Sequence, residues 1–489
     1  MSNEIASYLG PKGYTLKKEY VDIEELELIR KELTVCPFVP KSSLAKPTPF
    51  KIYRESSKKI YLPKFYGIEN YGKPEAVITP AGLNIDINFK GNLREYQKPV
   101  VNKWLKAAKK HGCGLIEADC GAGKTCMAIW LISQLKKKTL IIVHKEFLLN
   151  QWKERLEQFM PDAKIGRIQG QILDIEGKDV VIGMLQSLSM KDYEQRIFLD
   201  FGFTIIDECH HISAEVFSRV LFKAVTKYML GLSATMDRSD GLTRVFKMFL
   251  GDVEAKWKRP AQENVIVNAI EYNNNDEEYI RNLTNYRGQP DFVKMITKIC
   301  EYSHRTEFIL KVAEKTWKKT KRQIMIIGHR KKQLTYIHDA IKHRGFATVG
   351  YYIGGMKEQQ LKITESKDIV IATYTMAEEA LDIKSLCTII MSTPKKDVRQ
   401  AVGRIMRSGG DKLVIDIVDQ HQIFKKHWTI RKRWYNKQSY KIFYTNSNNY
   451  RKDIWQDISE KKNKKNNSNK AVKPALKTAF ELNGKCLLD

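Results

Sequence analysis

Short apolar runs alternate with amphipathic stretches from residue 91 onward. Apolar runs of this kind, bounded by polar turns, are typical of strands buried on both faces of a parallel sheet, and the stretches between them have helical periodicity. The runs form two series on either side of a polar stretch near 272–290. The first series is 114–119, 139–144, 179–184, 203–208 and 229–235, and the second is 323–329, 348–354, 368–374, 388–393 and 412–419. The pattern predicts two α/β domains in tandem, each built on a parallel sheet.

The two ends of the chain do not follow this alternation of apolar runs and amphipathic stretches. In residues 1–90 prolines interrupt any long helix, and basic and aromatic residues are interleaved over 51–72. Such a mixture either contacts nucleic acid by charge and stacking or belongs to a small β-rich accessory domain that buries its tyrosines. The basic and aromatic stretch 425–444 predicts one or two terminal helices. The low-complexity stretch 461–470 offers nothing to bury and predicts disorder.

Charge narrows the range of partners. The 489 residues include 84 Lys and Arg against 56 Asp and Glu, which gives a net charge of +28 and a pI near 9.5. A field of that sign attracts polyanions, and nucleic acid is the commonest polyanion in a cell. A merely Lys-rich protein gives the same balance, so charge favours nucleic acid without specifying it.

Cysteine usage and the absence of targeting signals bear on the compartment. The eight cysteines include no Cys-x-x-Cys pair, which disfavours zinc ribbons and paired redox motifs and fits a reducing compartment. The N-terminus lacks the apolar core of a signal peptide, and no apolar run approaches the roughly 18 residues that span a bilayer. We expect an intracellular protein that makes no membrane contact.

A glycine-containing segment, ADCGAGKT (118–125), lies between an apolar run and a stretch of helical periodicity. That strand–loop–helix context is the one required of a phosphate-binding loop. Gly121 and Gly123 let the backbone curl with its N–H groups toward phosphates. Lys124 would neutralise the β- and γ-phosphates, and the Thr125 hydroxyl would ligate Mg²⁺. The predicted loop that binds ATP and Mg²⁺ consists of Cys120, Gly121, Ala122, Gly123, Lys124 and Thr125.

Two adjacent carboxylates, Asp207 and Glu208, end another apolar run. This position is the carboxyl edge of a parallel sheet, where the phosphate loop also opens. Asp207 would hold Mg²⁺, through water, while Glu208 would orient and deprotonate the attacking water. A zinc site at 209–211 is disfavoured because successive residues cannot all converge on one ion. The pair is therefore the expected second half of an ATPase site.

With these motifs in place, the chain resembles the DExH group of superfamily 2 helicases. Residues 207–210 read Asp-Glu-Cys-His, the acidic box of that group. Residues Ser233, Ala234 and Thr235 resemble motif III, and the resemblance assigns coupling of the ATP site to the nucleic-acid site to them and to His210. Arg94 and Gln97 resemble the adenine-contacting element, where a side-chain amide can pair with both the donor and the acceptor of the adenine edge.

The second series of runs carries matching motifs. The segment around Gln400, Arg404 and Arg407 resembles motif VI, whose side chains would face the triphosphate across the cleft. Arg407 matches the arginine finger and Arg404 would assist it, a contribution on the order of 10³–10⁵ in rate. Residues 371–383 resemble motif V, with Ala380 in place of the usual glycine, and Asp382 would contact the ribose or link to the acidic box.

Segments 143–152, 166–170 and 183–188 resemble the strand-gripping motifs of the same family. Their chemistry is phosphate-directed, so the grip implied is independent of base sequence and sensitive to salt. The residues expected to face nucleic acid are Lys145, Gln169, Gly170 and Ser187, together with Thr373 from motif V.

Finer similarity points to one group of these helicases. The phosphate loop and residues 233–241 look like the XPB branch, and the acidic box looks like UvsW-type phage helicases. Residues 50–67, the segment 350–357 and the arrangement of 399–407 with 414–419 resemble helicases of nucleocytoplasmic large DNA viruses, a group related to the poxvirus transcript-release helicase. By this resemblance the protein acts with viral transcription or replication machinery, in the cytoplasm or nucleus of the host or in the virion.

The resemblance implies a P-loop NTPase with two RecA-like domains that close on ATP and step along nucleic acid, with 3′ to 5′ polarity and DNA as the preferred track. An RNA helicase that acts on transcripts and the motor subunit of a restriction-type nuclease remain alternatives. The expected regions are an accessory region (1–90), a first RecA-like domain (91–262), a second RecA-like domain (263–445) and a basic, partly disordered tail (446–489).

Overall fold

The structure is a computed structural model, and it describes residues 5–38, 48–209, 214–235, 241–260, 264–379, 383, 385–406 and 410–460. Three of the predicted site residues, His210, Asp382 and Arg407, lie outside these ranges, as does the stretch 461–470 that is expected to be disordered.

The described residues form 23 strands and 17 α-helices, with two short 3₁₀ helices at Lys18–Tyr20 and Gln195–Phe198. The strands are β1 (Ser7–Gly10), β2 (Gly13–Lys17), β3 (Thr34–Val35), β4 (Phe50–Lys51), β5 (Arg54–Glu55), β6 (Lys59–Leu62), β7 (Ala76–Val77), β8 (Cys113–Ala118), β9 (Thr139–Val143), β10 (Ile165–Gln169), β11 (Ile172–Asp174), β12 (Val180–Met184), β13 (Phe203–Ile206), β14 (Tyr228–Ser233), β15 (Val253–Trp257), β16 (Val265–Tyr272), β17 (Ile324–Gly328), β18 (Val349–Tyr352), β19 (Ile369–Thr373), β20 (Thr388–Met391), β21 (Lys412–Asp419), β22 (Lys441–Asn446) and β23 (Gln456–Asp457). The helices are α1 (Ile23–Glu32), α2 (Lys64–Tyr71), α3 (Gln97–His111), α4 (Lys124–Leu135), α5 (Glu146–Phe159), α6 (Leu185–Met190), α7 (Ala214–Leu221), α8 (Thr243–Leu250), α9 (Glu277–Ile280), α10 (Phe292–Glu301), α11 (Ser303–Thr320), α12 (Lys331–Arg344), α13 (Glu358–Glu365), α14 (Tyr374–Glu379), α15 (Arg399–Ile405), α16 (Gln422–Lys437) and α17 (Ser447–Arg451).

The first large sheet has eight strands in the order β11-β10-β12-β9-β13-β14-β8-β15. Neighbouring strands run parallel, except that β11 is antiparallel to β10. Successive residues of β9 face opposite cores: Leu140 and Ile142 pack on one side, and Ile141 and Val143 on the other. Because both faces are covered, this strand is apolar throughout rather than alternating.

The second large sheet has eight strands in the order β18-β19-β17-β20-β21-β16-β22-β23, and all neighbours are parallel except β22 and β23. Along β17, Ile324 and Ile326 face one core and Met325 and Ile327 the other. The predicted fold class, α/β with two parallel-sheet domains, is confirmed.

Residues before the first large sheet form a smaller sheet in the order β5-β6-β2-β1-β7. Its tyrosines are largely core residues, since Tyr53 and Tyr66 from the basic and aromatic stretch are buried together with Tyr14. This core is continuous with Phe217 and Phe249 of α7 and α8. The arrangement agrees with the second of the two interpretations, a β-rich accessory unit that buries its tyrosines.

The prediction of terminal helices over 425–444 is wrong for its last residues. Helix α16 ends at Lys437, and β22 then pairs in parallel with β16. Ile442 is fully buried in the core next to that sheet. The strand forms because the edge of β16 supplies hydrogen-bond partners, a tertiary interaction that local sequence does not reveal. Among the described residues, no helix is long and apolar enough to cross a membrane.

Candidate active site

The phosphate loop follows β8 and ends at the first turn of α4. Gly121 and Gly123 both have φ of 79°, in the left-handed region that glycine adopts readily, and Gly123 is the N-cap of the helix. The loop thereby leads into the first turn of a 12-residue helix, whose leading N–H groups have no acceptor within the helix. Such a terminus, with its partial positive charge, binds phosphate.

Lys124 reaches from this loop to the acidic pair. Its ammonium lies 3.2 Å from Glu208 Oε1, and it also donates to the Ala118 carbonyl at 3.4 Å. Burial opposes the charge on this ammonium, but the negative charges of Glu208, Cys120 and Asp207 outweigh burial and raise the pKa of Lys124. The predicted convergence of the lysine on the carboxylates is therefore present in the fold.

Asp207 is held on the other side by a tryptophan. The indole Nε1 of Trp152 in α5 donates to Asp207 Oδ2 at 2.8 Å, and the Glu208 backbone N–H donates to Oδ1 at 2.9 Å. Burial, then repulsion by Glu208, raises the pKa of Asp207 to about 6, against the lowering effect of Lys124. Glu208 itself has φ of 47°, a left-handed conformation that costs a non-glycine residue on the order of 1 kcal/mol.

The charge balance of this cluster fits a divalent cation. Two carboxylates, those of buried Asp207 and half-buried Glu208, face one lysine, and burial followed by repulsion from Glu208 raises the pKa of Asp207. Mg²⁺ takes oxygen ligands, which the Asp207 carboxylate and the Thr125 hydroxyl would supply together with phosphate. Thr125 is the second residue of α4, and its side chain is half-buried.

The predicted adenine element packs against the back of the loop. Gln97 is 2% exposed, and both ends of its amide are used: Oε1 accepts from the Arg94 N–H at 2.9 Å, and Nε2 donates to the Ala122 carbonyl at 2.8 Å. Tyr96, which sequence analysis did not single out, donates to the same carbonyl at 3.3 Å and stacks on Trp257 at a ring distance of 4.5 Å. Gln97 thus braces the loop in this structure.

From the second domain, helix α15 lies directly against the loop. A Cβ on Gly403 would lie 2.9 Å from Cys120 Cβ, so only glycine fits without a shift. Arg404 in the same helix is 8% exposed, and its Nε donates to the Glu378 carbonyl at 3.0 Å. Gln400 lies in the first turn of this helix and is half-buried. Arg407, the predicted arginine finger, lies outside the described residues.

The residues assigned to coupling end a strand between the two halves of the site. Strand β14 lies between β13, which leads to the acidic pair, and β8, which leads to the phosphate loop. At its end Ser233 is fully buried and Ala234 nearly so. The Ser233 hydroxyl accepts from the Thr235 N–H at 3.2 Å, which makes a tight local turn. A movement of this turn would therefore affect both neighbouring strands, β13 and β8.

The residues expected to contact nucleic acid lie at strand ends or shortly after them, in both domains. The Gly170 N–H donates to Ser187 Oγ at 2.9 Å, and Gln169 Nε2 donates to Glu146 Oε1 at 3.2 Å. Burial lowers the pKa of Lys145, which precedes α5, while the carboxylate of Glu378 in the second domain raises it. Thr373 ends β19, next to α14, which carries Glu378.

Comparison with known proteins supports the same interpretation. The family model described as "Type III restriction enzyme, res subunit" matches residues 90–238. "Putative ATP-dependent RNA helicase L396" of Acanthamoeba polyphaga mimivirus is 35% identical over 478 residues, which cover 94% of this chain and 91% of that protein. "Putative ATP-dependent RNA helicase QP509L" of African swine fever virus (isolate Pig/Kenya/KEN-50/1950) is 26% identical over 392 residues, 72% of this chain and 74% of that protein. "Putative helicase 161L" of Invertebrate iridescent virus 6 is 26% identical over 416 residues, 76% of this chain and 92% of that protein.

Two parallel-sheet domains that meet at a phosphate loop define a class, the ATP-hydrolysing motors. The mimivirus relative, similar over nearly the whole of both chains, defines the family within that class. This chain belongs to the superfamily 2 helicases, in the group found in nucleocytoplasmic large DNA viruses. It is therefore an ATP-dependent nucleic-acid helicase or translocase that uses ATP and binds nucleic acid, as predicted. The roles of the individual site residues stay predictions.

Proposed function

We propose that the chain is an Mg²⁺- and ATP-driven motor that moves along one nucleic-acid strand, with DNA as its preferred track. The observation that carries this proposal is the Lys124–Glu208 pair, 3.2 Å apart beside buried Asp207. We assign residues 91–262 and 263–445 to the two motor domains and 1–90 to the accessory region. Thr125 and Asp207 would hold the Mg²⁺, Glu208 would activate water, and Arg404 and Arg407 would act from the second domain.

A second candidate track is RNA. The names of the mimivirus and African swine fever virus relatives describe RNA helicases. Because the grip we propose is on the backbone, it accommodates either acid. A third candidate, the motor of a nuclease, corresponds to the description of the family model. Because the relatives come from large DNA viruses, we propose that this motor serves viral transcription, replication or repair.

We expect Lys124→Ala and Glu208→Gln to lower ATP turnover by at least about a hundredfold, the contribution of a positioned acid–base or phosphate-binding group. Nucleic-acid affinity should be retained, since neither side chain faces the proposed track. The measurement is steady-state ATP hydrolysis with Mg²⁺, alongside filter binding to a labelled strand. Undiminished turnover by either variant would refute the assignment of the site.

The matched controls are Lys153→Ala and Glu157→Gln, whose side chains pair on the exposed face of α5. Both should turn over ATP like the unaltered chain. The same assay with single-stranded DNA, duplex DNA, RNA and a hybrid, at several salt concentrations, decides the track. Stimulation by RNA alone would replace DNA with RNA, and cleavage of DNA by the purified chain would favour the nuclease motor.

A further inference from the structure

An arginine in the segment that joins the two motor domains touches both of them. Strand β15 ends the first sheet at Trp257, and β16 begins the second at Val265. Between them, Arg259 Nη1 donates to the Met406 carbonyl at 2.7 Å, and Arg259 Nη2 donates to the Cys120 carbonyl at 3.1 Å. One guanidinium thus joins the end of α15 to the phosphate loop.

The backbone of the joining segment is fixed to the same loop. The Arg259 N–H donates to Asp119 Oδ2 at 2.7 Å, and the Asp119 N–H donates to the Trp257 carbonyl at 3.3 Å. Asp119 is the residue before Cys120, so side chain and backbone of Arg259 hold two consecutive loop residues. The position of Arg259 is therefore set by the loop, and the second amino group of its guanidinium reaches the other domain.

Both carbonyls bound by Arg259 lie at positions where the local backbone leaves a carbonyl available as an acceptor. Met406 is the C-cap of α15, where carbonyl groups lack partners within the helix. In a phosphate loop the N–H groups turn toward the ligand, so carbonyls such as that of Cys120 are left on the outer side. A planar guanidinium with donors in a fixed fork can bond both at once, whereas an ammonium on a flexible stem cannot hold them at a set spacing.

We propose that Arg259 is a positioning residue for ATP hydrolysis, which fixes the spacing between the phosphate loop and α15. This inference rests on the proposed function, because α15 carries Gln400 and Arg404, which we assign to the triphosphate. The bridge is made only when the end of α15 lies against the loop. It therefore stabilises the closed arrangement of the domains in which those side chains act, and it leaves the loop's own contacts with nucleotide unchanged.

The test uses the full chain with Arg259→Ala, and with Arg259→Lys as the conservative variant. We expect Arg259→Ala to lower kcat by about tenfold to a hundredfold, the loss expected from misplacing a catalytic group by about 1 Å. KM for ATP and the Kd of a fluorescent ADP should change much less, because the loop and Lys124 are retained. Arg259→Lys should recover only part of kcat, since one ammonium replaces the fork.

Lys258→Ala is the matched control, because Lys258 is the exposed neighbour of Arg259 in the chain. A kcat of Arg259→Ala equal to that of Lys258→Ala would overturn the inference, as would equal losses in kcat and ADP affinity. If Arg259→Ala fails to fold, a kcat of Arg259→Lys equal to that of the unaltered chain overturns it instead. Failure of the proposed function looks different: the unaltered chain and Lys258→Ala would then hydrolyse no ATP.

Discussion

At the scale of single residues, Asp207 carries a charge in an unfavourable setting. The residue is 6% exposed, and its carboxylate lies beside a second carboxylate and shares one lysine with it. The hydrogen bond from Trp152 offsets only part of the cost of burial. A protein keeps such a group where a charged ligand compensates it, which is the situation expected of a residue that holds a cation.

This cost predicts that the free energy of unfolding of the unaltered chain falls between about pH 4 and 6 in the absence of Mg²⁺ and nucleotide, and that Asp207→Asn removes that fall. The pKa of Asp207, about 6, lies above the roughly 3.9 of an unfolded aspartate. As pH rises from about 4 to 6 the unfolded state loses this proton first, so the stability of the unaltered chain falls and then stays lower. Between about pH 4 and pH 7 the variant should therefore gain about 1–3 kcal/mol relative to the unaltered chain, on top of a pH-independent loss from the one N–H donor that the amide cannot accept.

Thermal unfolding at a series of pH values measures this effect. Asp162→Asn, at an exposed carboxylate, is the control and should show no such pH-dependent gain. A stability difference between Asp207→Asn and the unaltered chain that is the same at pH 4 and pH 7 would contradict the charge argument. The variant should also lose ATP turnover, which separates its gain in stability from function.

At the scale of elements, the apolar runs located the buried strands well. Each of the ten predicted runs overlaps an observed strand, and the run 412–419 coincides with β21. In the two large sheets the pattern missed β10, β11, β15, β16, β22 and β23, which all lie within three strands of an edge. Strands covered on both faces have a continuous apolar signal, whereas β10 alternates between more and less buried residues and β22 forms only because β16 offers an edge.

Helix α2 gives a prediction about how the accessory unit is held. A Cβ on Gly67 would lie 2.2 Å from Cγ of buried Tyr14, so the helix can pack on β2 only with glycine there. We expect Gly67→Ala to destabilise the accessory unit by about 1–3 kcal/mol through overpacking. Thermal unfolding should begin at a lower temperature, while ATP turnover per folded molecule is unchanged.

Gly354→Ala is the control, because a Cβ at Gly354 meets no atom within 4 Å and that residue lacks a positive φ. An unfolding curve of Gly67→Ala that overlays the control would show that the Tyr14 ring yields without cost. A loss of turnover would instead show that the accessory unit acts on the ATP site, through the core it shares with α7 and α8.

At the scale of the whole molecule, the order of the motifs predicted which side chains come together, but not which hydrogen bonds hold each of them. The approach of Lys124 to Glu208 follows from two strands of one parallel sheet, whose carboxyl ends meet at one edge. The Gln97 amide bonds to Arg94 and Ala122, and Arg404 donates to the Glu378 carbonyl; both arrangements depend on long-range packing. Arg259 belongs to no motif, and only the arrangement of both domains reveals its contacts.

The net charge of +28 belongs to the whole molecule and predicts how it binds its track. If the grip is on phosphates, the logarithm of affinity for a single strand should fall linearly with the logarithm of salt concentration, with a similar slope for strands of different base sequence. Lys145→Ala should reduce the magnitude of that slope by about 0.7, the contribution of one phosphate contact, and weaken all sequences alike. Fluorescence anisotropy at several salt concentrations measures both quantities, and Lys153→Ala should leave the slope unchanged. A slope unaltered by Lys145→Ala would remove this lysine from the track, and a sequence-dependent loss would mean that bases rather than phosphates are read there.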